Sequence, residues 1–91
     1  IYDVANLIGC IGVEEPQSLT GELIKCFIAD MKKAKIISKV SWRYLLEFII
    51  ALRFAWLSEW LRLKDTGMIS LELDYMRLLI DNKNILQKAW L

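Results

Sequence analysis

From Leu45 to Leu63 the chain is apolar around almost its whole circumference when wound as a helix, with Leu45, Leu46, Phe48, Ile49, Ile50 and Leu52 in close succession. A helix that is apolar all round must be covered on several sides, so this segment has to be the central element of the fold. Ser41 is a good N-cap, and Trp42 to about Lys64 then forms a helix of some ~6 turns. A chain of 91 residues offers little else to surround such a helix. Either the other helices wrap it, or it packs on a second copy or on a further domain. A membrane span is excluded, because Glu47, Arg53, Glu59 and Arg62 lie within the stretch and each central charge costs ~2.5–3.5 kcal/mol in a bilayer.

The remaining segments read as helices too. Val4, Leu7, Ile8 and Ile11 have helical spacing behind Asp3, which stands in N-cap position. Gly9 lets another helix approach closely, Gly12 is placed to stop the helix, and Glu14 to Ser18 is a polar loop holding the only proline. A second helix runs from Thr20 to Lys35, capped by Thr20 or Ser18, with Leu23, Cys26, Phe27, Asp30 and Met31 along its stripe. Its last turn carries Lys32, Lys33 and Lys35, in line with the helix dipole; the same cluster is a candidate phosphate or lipid patch. After a turn at Asp65-Thr66-Gly67, a fourth helix covers Met68 to Asp81 with Met68, Leu71, Tyr75, Leu78 and Leu79 on one stripe. A short last helix starts at Asn82 or Asn84 and ends near Trp90. The expected architecture is an all-α bundle of four to five helices around Trp42–Lys64, in one domain spanning residues 1–91.

The charged residues restrict the chemistry. There are 12 Lys and Arg against 11 Asp and Glu, a formal net charge of +1. That leaves no surplus of cations for a nucleic-acid backbone. With no histidine, Ser-His and Cys-His nucleophilic pairs and His-based metal sites are ruled out. No Gly-rich phosphate loop or calcium loop is present, so no catalytic, cofactor or metal residue is assigned. Cys10 and Cys26 sit among apolar neighbours and read as reduced core thiols, which favours the cytoplasm. Trp56 and Trp60 are helical neighbours close to Arg53 and Glu59 and read as an aromatic core stripe beside a partly buried ion pair. Glu47 and Arg53 do not face each other squarely, so each needs a partner from another helix.

The opening run Ile1-Tyr2-Asp3-Val4-Ala5-Asn6 resembles the segment that follows the metal-binding Asp in aminoglycoside phosphotransferase and choline kinase-like enzymes, a family that includes bacterial homoserine kinase-like proteins. Leu52 to Arg62 (LRFAWLSEWLR) is similar to the long aromatic-rich helix of that family's C-terminal lobe. The resemblance covers the chain in order, with Asp3 as its one compact motif residue. It implies the C-terminal helical part of an ATP- and Mg-dependent small-molecule phosphotransferase. The His-x-Asp catalytic loop, the following Asn, the metal-binding Asp and the ATP-binding lobe would precede Ile1, an expectation that also fits a chain opening without Met. Asp3 is then a structural N-cap, and the chain alone has no catalyst.

The other reading is an autonomous helical interaction protein. Under either, 56% hydrophobic residues in so short a chain leave apolar surface exposed. The expected result is a homodimer, or contact with a preceding lobe, through Leu7 and Ile11 of the first helix or through Trp56 and Trp60 of the long one.

Overall fold

The long apolar segment is helical, but it is broken once near its start. In the computed structural model, which describes residues 1–91, a short helix Lys39–Arg43 (α3) ends at Tyr44, and the long helix runs Leu45–Leu63 (α4). Ser38, not Ser41, is the cap: its hydroxyl accepts from the Ser41 N–H at 3.2 Å. Tyr44 adopts φ −105°, ψ 17° and its N–H bonds back to Ser41 O at 3.1 Å, a tightened turn that ends α3. Both Trp42 and Leu45, one on each side of the break, reach the core at 4% and 1% exposure.

The other helices are α1 (Tyr2–Glu14), α2 (Glu22–Lys33), α5 (Thr66–Asp81) and α6 (Lys83–Trp90), with a 3-10 helix at Pro16–Thr20. Strands are absent, so the all-α expectation holds, with one helix more than expected because of the Tyr44 break. The Glu14–Ser18 loop is largely this 3-10 turn, and it buries Leu19. Asn82 precedes the last helix as expected.

The α4–α5 corner is only two residues long. Lys64 takes the left-handed conformation (φ 57°), and the Asp65 N–H bonds to Trp60 O at 3.1 Å, closing the end of α4. Asp65 then caps α5, its Oδ1 accepting from the Met68 N–H at 3.1 Å, so α5 begins two residues earlier than the apolar spacing suggests. The tight corner folds α5 back along α4.

Against this hairpin α1 lays its smallest residues. Ala5, Gly9 and Gly12 are buried, and a Cβ at Gly9 would stand 3.2 Å from Ile49 Cγ2 and 3.6 Å from Arg53 Cδ. The close approach expected at Gly9 is therefore made, and it is made to the long helix. Gly12 does not stop α1, which continues to Glu14; a Cβ there would collide with the Tyr75 hydroxyl and Leu19. The core centres on Ile8, Ile49 and Leu79, each fully buried, with Leu19, Leu86 and Trp90 closing one side.

Three further expectations are corrected. The buried stripe of α2 is Ile24 and Ile28 with Phe27 and Met31 packed beside them, while Leu23 is 81% exposed; α2 is rotated by about one residue, ~100°, because Ile24 and Ile28 offer a branched apolar pair where Cys26 and Asp30 do not. Cys26 is consequently exposed and only Cys10 is half-buried, both as free thiols. In α5 the inward face is Glu72, Tyr75, Met76 and Leu79, and Leu71 points outward.

The long helix is covered over its first half only. Its buried residues end at Arg53, and Phe54, Leu61 and Leu63 are each more than half exposed. The accessible surface is 6047 Å², above the ~5,500 Å² typical of a compact monomer of this mass. The extents of 41 × 22 × 19 Å explain the excess.

Candidate functional site

A buried polar cluster and an apolar groove stand out beside the plain apolar core. The cluster is built on α4 and α5. Arg53 is 5% exposed and Glu72 is fully buried. Arg53 Nε donates to Glu72 Oε2 at 2.9 Å, and Arg53 Nη2 donates to Glu72 Oε1, a bidentate pair. The indole N–H of Trp60 adds a third bond to Glu72 Oε1 at 3.3 Å. Arg53 Nη1 reaches Cys10 Sγ of α1 at 3.5 Å, and the guanidinium lies over the Tyr75 ring, 5.7 Å from its centre. Burial works against the Arg53 charge, but the Glu72 hydrogen bond and the Glu72 charge outweigh it and raise the Arg53 pKa.

Arg53 thus finds the partner on another helix that its sequence neighbours could not supply. Glu47 stays exposed with no ion-pair partner. The cluster ties α1, α4 and α5 together at the Arg53 guanidinium. Its one loose end is Tyr75: the hydroxyl is buried without a hydrogen-bond partner, and burial pushes its pKa well above the usual phenol value.

The expected site residues fall in separate places. Asp3 is exposed in the first turn of α1, not at its cap; Ile1 holds that position and no side chain caps the helix. The run from Tyr2 already has helical geometry, which leaves Asp3 to act on the helix dipole. Trp56 and Trp60 stack with ring centres 5.8 Å apart and planes 22° from parallel. Trp60 turns toward Glu72, and Trp56 remains 39% exposed. Leu7 and Ile11 line the groove between α1 and α2, about 200 Å³ in volume, together with Ile8, Leu23, Ile24 and Phe27. All six lining residues are apolar. Tyr75 lies on the expected stripe of α5, whereas Glu72 carries no sequence mark of burial beyond the apolar positions around it.

No group of three or more Cys, Asp or Glu stands where it could hold a metal ion, and no helix is long and apolar enough to cross a membrane. Comparison with protein-family models, curated proteins and solved structures finds no match.

Replacing Glu72 by Leu strands the Arg53 charge in the core. Chemical denaturation should show a loss of about 3–5 kcal/mol, and the double replacement Arg53→Met, Glu72→Leu should recover most of it. Tyr75→Phe removes a buried hydroxyl that bonds to nothing, so stability at neutral pH should change by less than about 1 kcal/mol. A raised folded-state pKa means that the protonated phenol's contribution is complete below the free-tyrosine value of ~10 and is lost above it. Stability of the parent chain should therefore fall above pH ~10, and Tyr75→Phe should flatten that fall.

Proposed function

We propose that this chain is the C-terminal helical part of the C-lobe of an ATP-dependent small-molecule phosphotransferase of the aminoglycoside phosphotransferase and homoserine kinase-like type. In this role it supports the substrate lobe and does no chemistry alone. The observation that carries the reading is the pairing of its two family-like segments. The Tyr2-Asp3-Val4-Ala5 run opens α1, and the buried face of α1 seats on α4, which carries the aromatic-rich segment from Leu52 to Arg62. The Arg53–Glu72 clamp fits a supporting role, since it fastens α5 to α4 while Arg53 also reaches Cys10 of α1. ATP, magnesium, the catalytic base and the metal-binding Asp belong to the preceding part of the protein, in the cytoplasm. Phosphoryl transfer rests on positioning and charge neutralisation by those groups.

The second reading is an autonomous interaction module that pairs with a copy of itself. The all-apolar groove favours it, because Leu7 at 47% and Ile11 at 37% exposure leave its rim open.

The genomic reading frame separates the two. The phosphotransferase reading expects the frame to continue upstream of Ile1 and to encode a His-x-Asp segment, an Asn and a further Asp within a few tens of residues. An in-frame stop just upstream overturns it. For the second reading, light scattering on the 91-residue chain at micromolar concentration should give a dimer mass, and Leu7→Asp with Ile11→Asp should return it to monomer. A monomer in both forms excludes self-pairing through the groove.

A further inference from the structure

The lysine cluster at the end of α2 does not point uniformly into solvent. The chain reverses at Lys35, in the left-handed conformation (φ 55°), and α3 returns beside the end of α2. Lys32, Lys35, Lys39 and Arg43 thereby surround one cleft of about 550 Å³ whose apolar wall includes Ile37 and Trp42. That volume lies within the ~300–1,000 Å³ of ordinary small-ligand sites.

The four cations are not equivalent. Lys32 is committed: its Nζ donates to the Trp90 carbonyl at 2.5 Å and stands 5.6 Å from the centre of the Trp42 ring. It answers the partial negative charge of the α6 end and fixes the wall of the cleft. Lys35, Lys39 and Arg43 are exposed. No Asp or Glu side chain lines the cleft, which Leu91 closes on its third apolar side, and the only side-chain ion pairs in the molecule are Arg53–Glu72 and Arg62–Glu59. A near-neutral chain therefore carries a concave site whose charged side chains are all cations, three of them unpaired and facing a partly apolar wall.

We propose that this cleft binds a small organic phosphate, its phosphoryl oxygens held by Lys35, Lys39 and Arg43 and its apolar or aromatic part resting on Ile37 and the edge of Trp42. Arg43 supplies the planar fork that matches two phosphate oxygens, and the lysines supply mobile point charges. The concavity selects a small ligand over a membrane surface, and a net charge of +1 leaves no surplus for the extended basic stripe that a nucleic-acid backbone needs. The inference uses only this chain's residues and does not depend on the phosphotransferase reading.

Calorimetric titration with phenyl phosphate tests it, with inorganic phosphate and phenol as the two halves of the probe. Phenyl phosphate should bind saturably, inorganic phosphate more weakly and phenol not at all, and added salt should weaken the binding. The double variant Lys35→Glu, Arg43→Glu should bind at least about tenfold more weakly, with its helical circular dichroism unchanged because both side chains are exposed. The variant Lys25→Glu, Arg77→Glu makes the same change of net charge at exposed positions that do not line the cleft and should bind as the parent does. Equal weakening in both double variants would reduce the effect to net charge and overturn the site. So would the absence of saturable binding at millimolar phenyl phosphate. Binding to phosphatidic acid vesicles without binding to phenyl phosphate would overturn it in favour of a lipid surface.

Discussion

The bidentate pair between Arg53 and Glu72 is the interaction on which the arrangement of the helices depends. An ion pair removed from water contributes little net stability over apolar residues of the same size. What it contributes here is register. Only one sliding position of α5 against α4 lets the carboxylate meet the guanidinium fork and the Trp60 indole together. The two-residue corner at Lys64 and Asp65 fixes the same register from the other end. Cys10 brings α1 to the same guanidinium, so three helices are tied at one planar group.

Around that tie the molecule is unevenly finished. The first half of α4 lies under α1, α3 and α5, while Phe54, Leu61 and Leu63 remain exposed beyond it. The α1–α2 groove is wholly apolar and the α2–α3 cleft is lined by cations. Helix α2 contributes to both, through Leu23, Ile24 and Phe27 to the groove and through Lys32 to the cleft. One amphipathic helix thus divides its length between two surfaces of opposite character.

Helix content and order were legible in the sequence because apolar spacing and capping residues act locally. The central helix, the Gly9 approach and the need of Arg53 for a partner on another helix follow from residue types at known spacings. The phase of α2 was harder to read: by spacing alone Leu23 and Phe27 make as good a stripe as Ile24 and Ile28, and the choice turns on Cys26 and Asp30, which the Leu23 stripe would have to bury. The break at Tyr44 is hidden for a similar reason, since no proline or glycine marks it and Ser38 and Ser41 are both competent caps. Glu72 sits at an apolar position of its helix, and its burial makes sense only once Arg53 lies opposite. The cationic cleft needs the reversal at Lys35, which a lysine in left-handed conformation does not announce.

The contact of Trp90 with the distant chain has a kinetic meaning. Its indole N–H donates to the Leu19 carbonyl at 2.9 Å, and its own carbonyl accepts from Lys32. These bonds join residues 71 and 58 positions apart, whereas Arg53 and Glu72 are only 19 apart. Loop-closure entropy rises with separation, so contacts between sequence neighbours form at lower cost than those between distant segments. The α4–α5 hairpin therefore closes at lower entropic cost than the docking of α6 over Leu19.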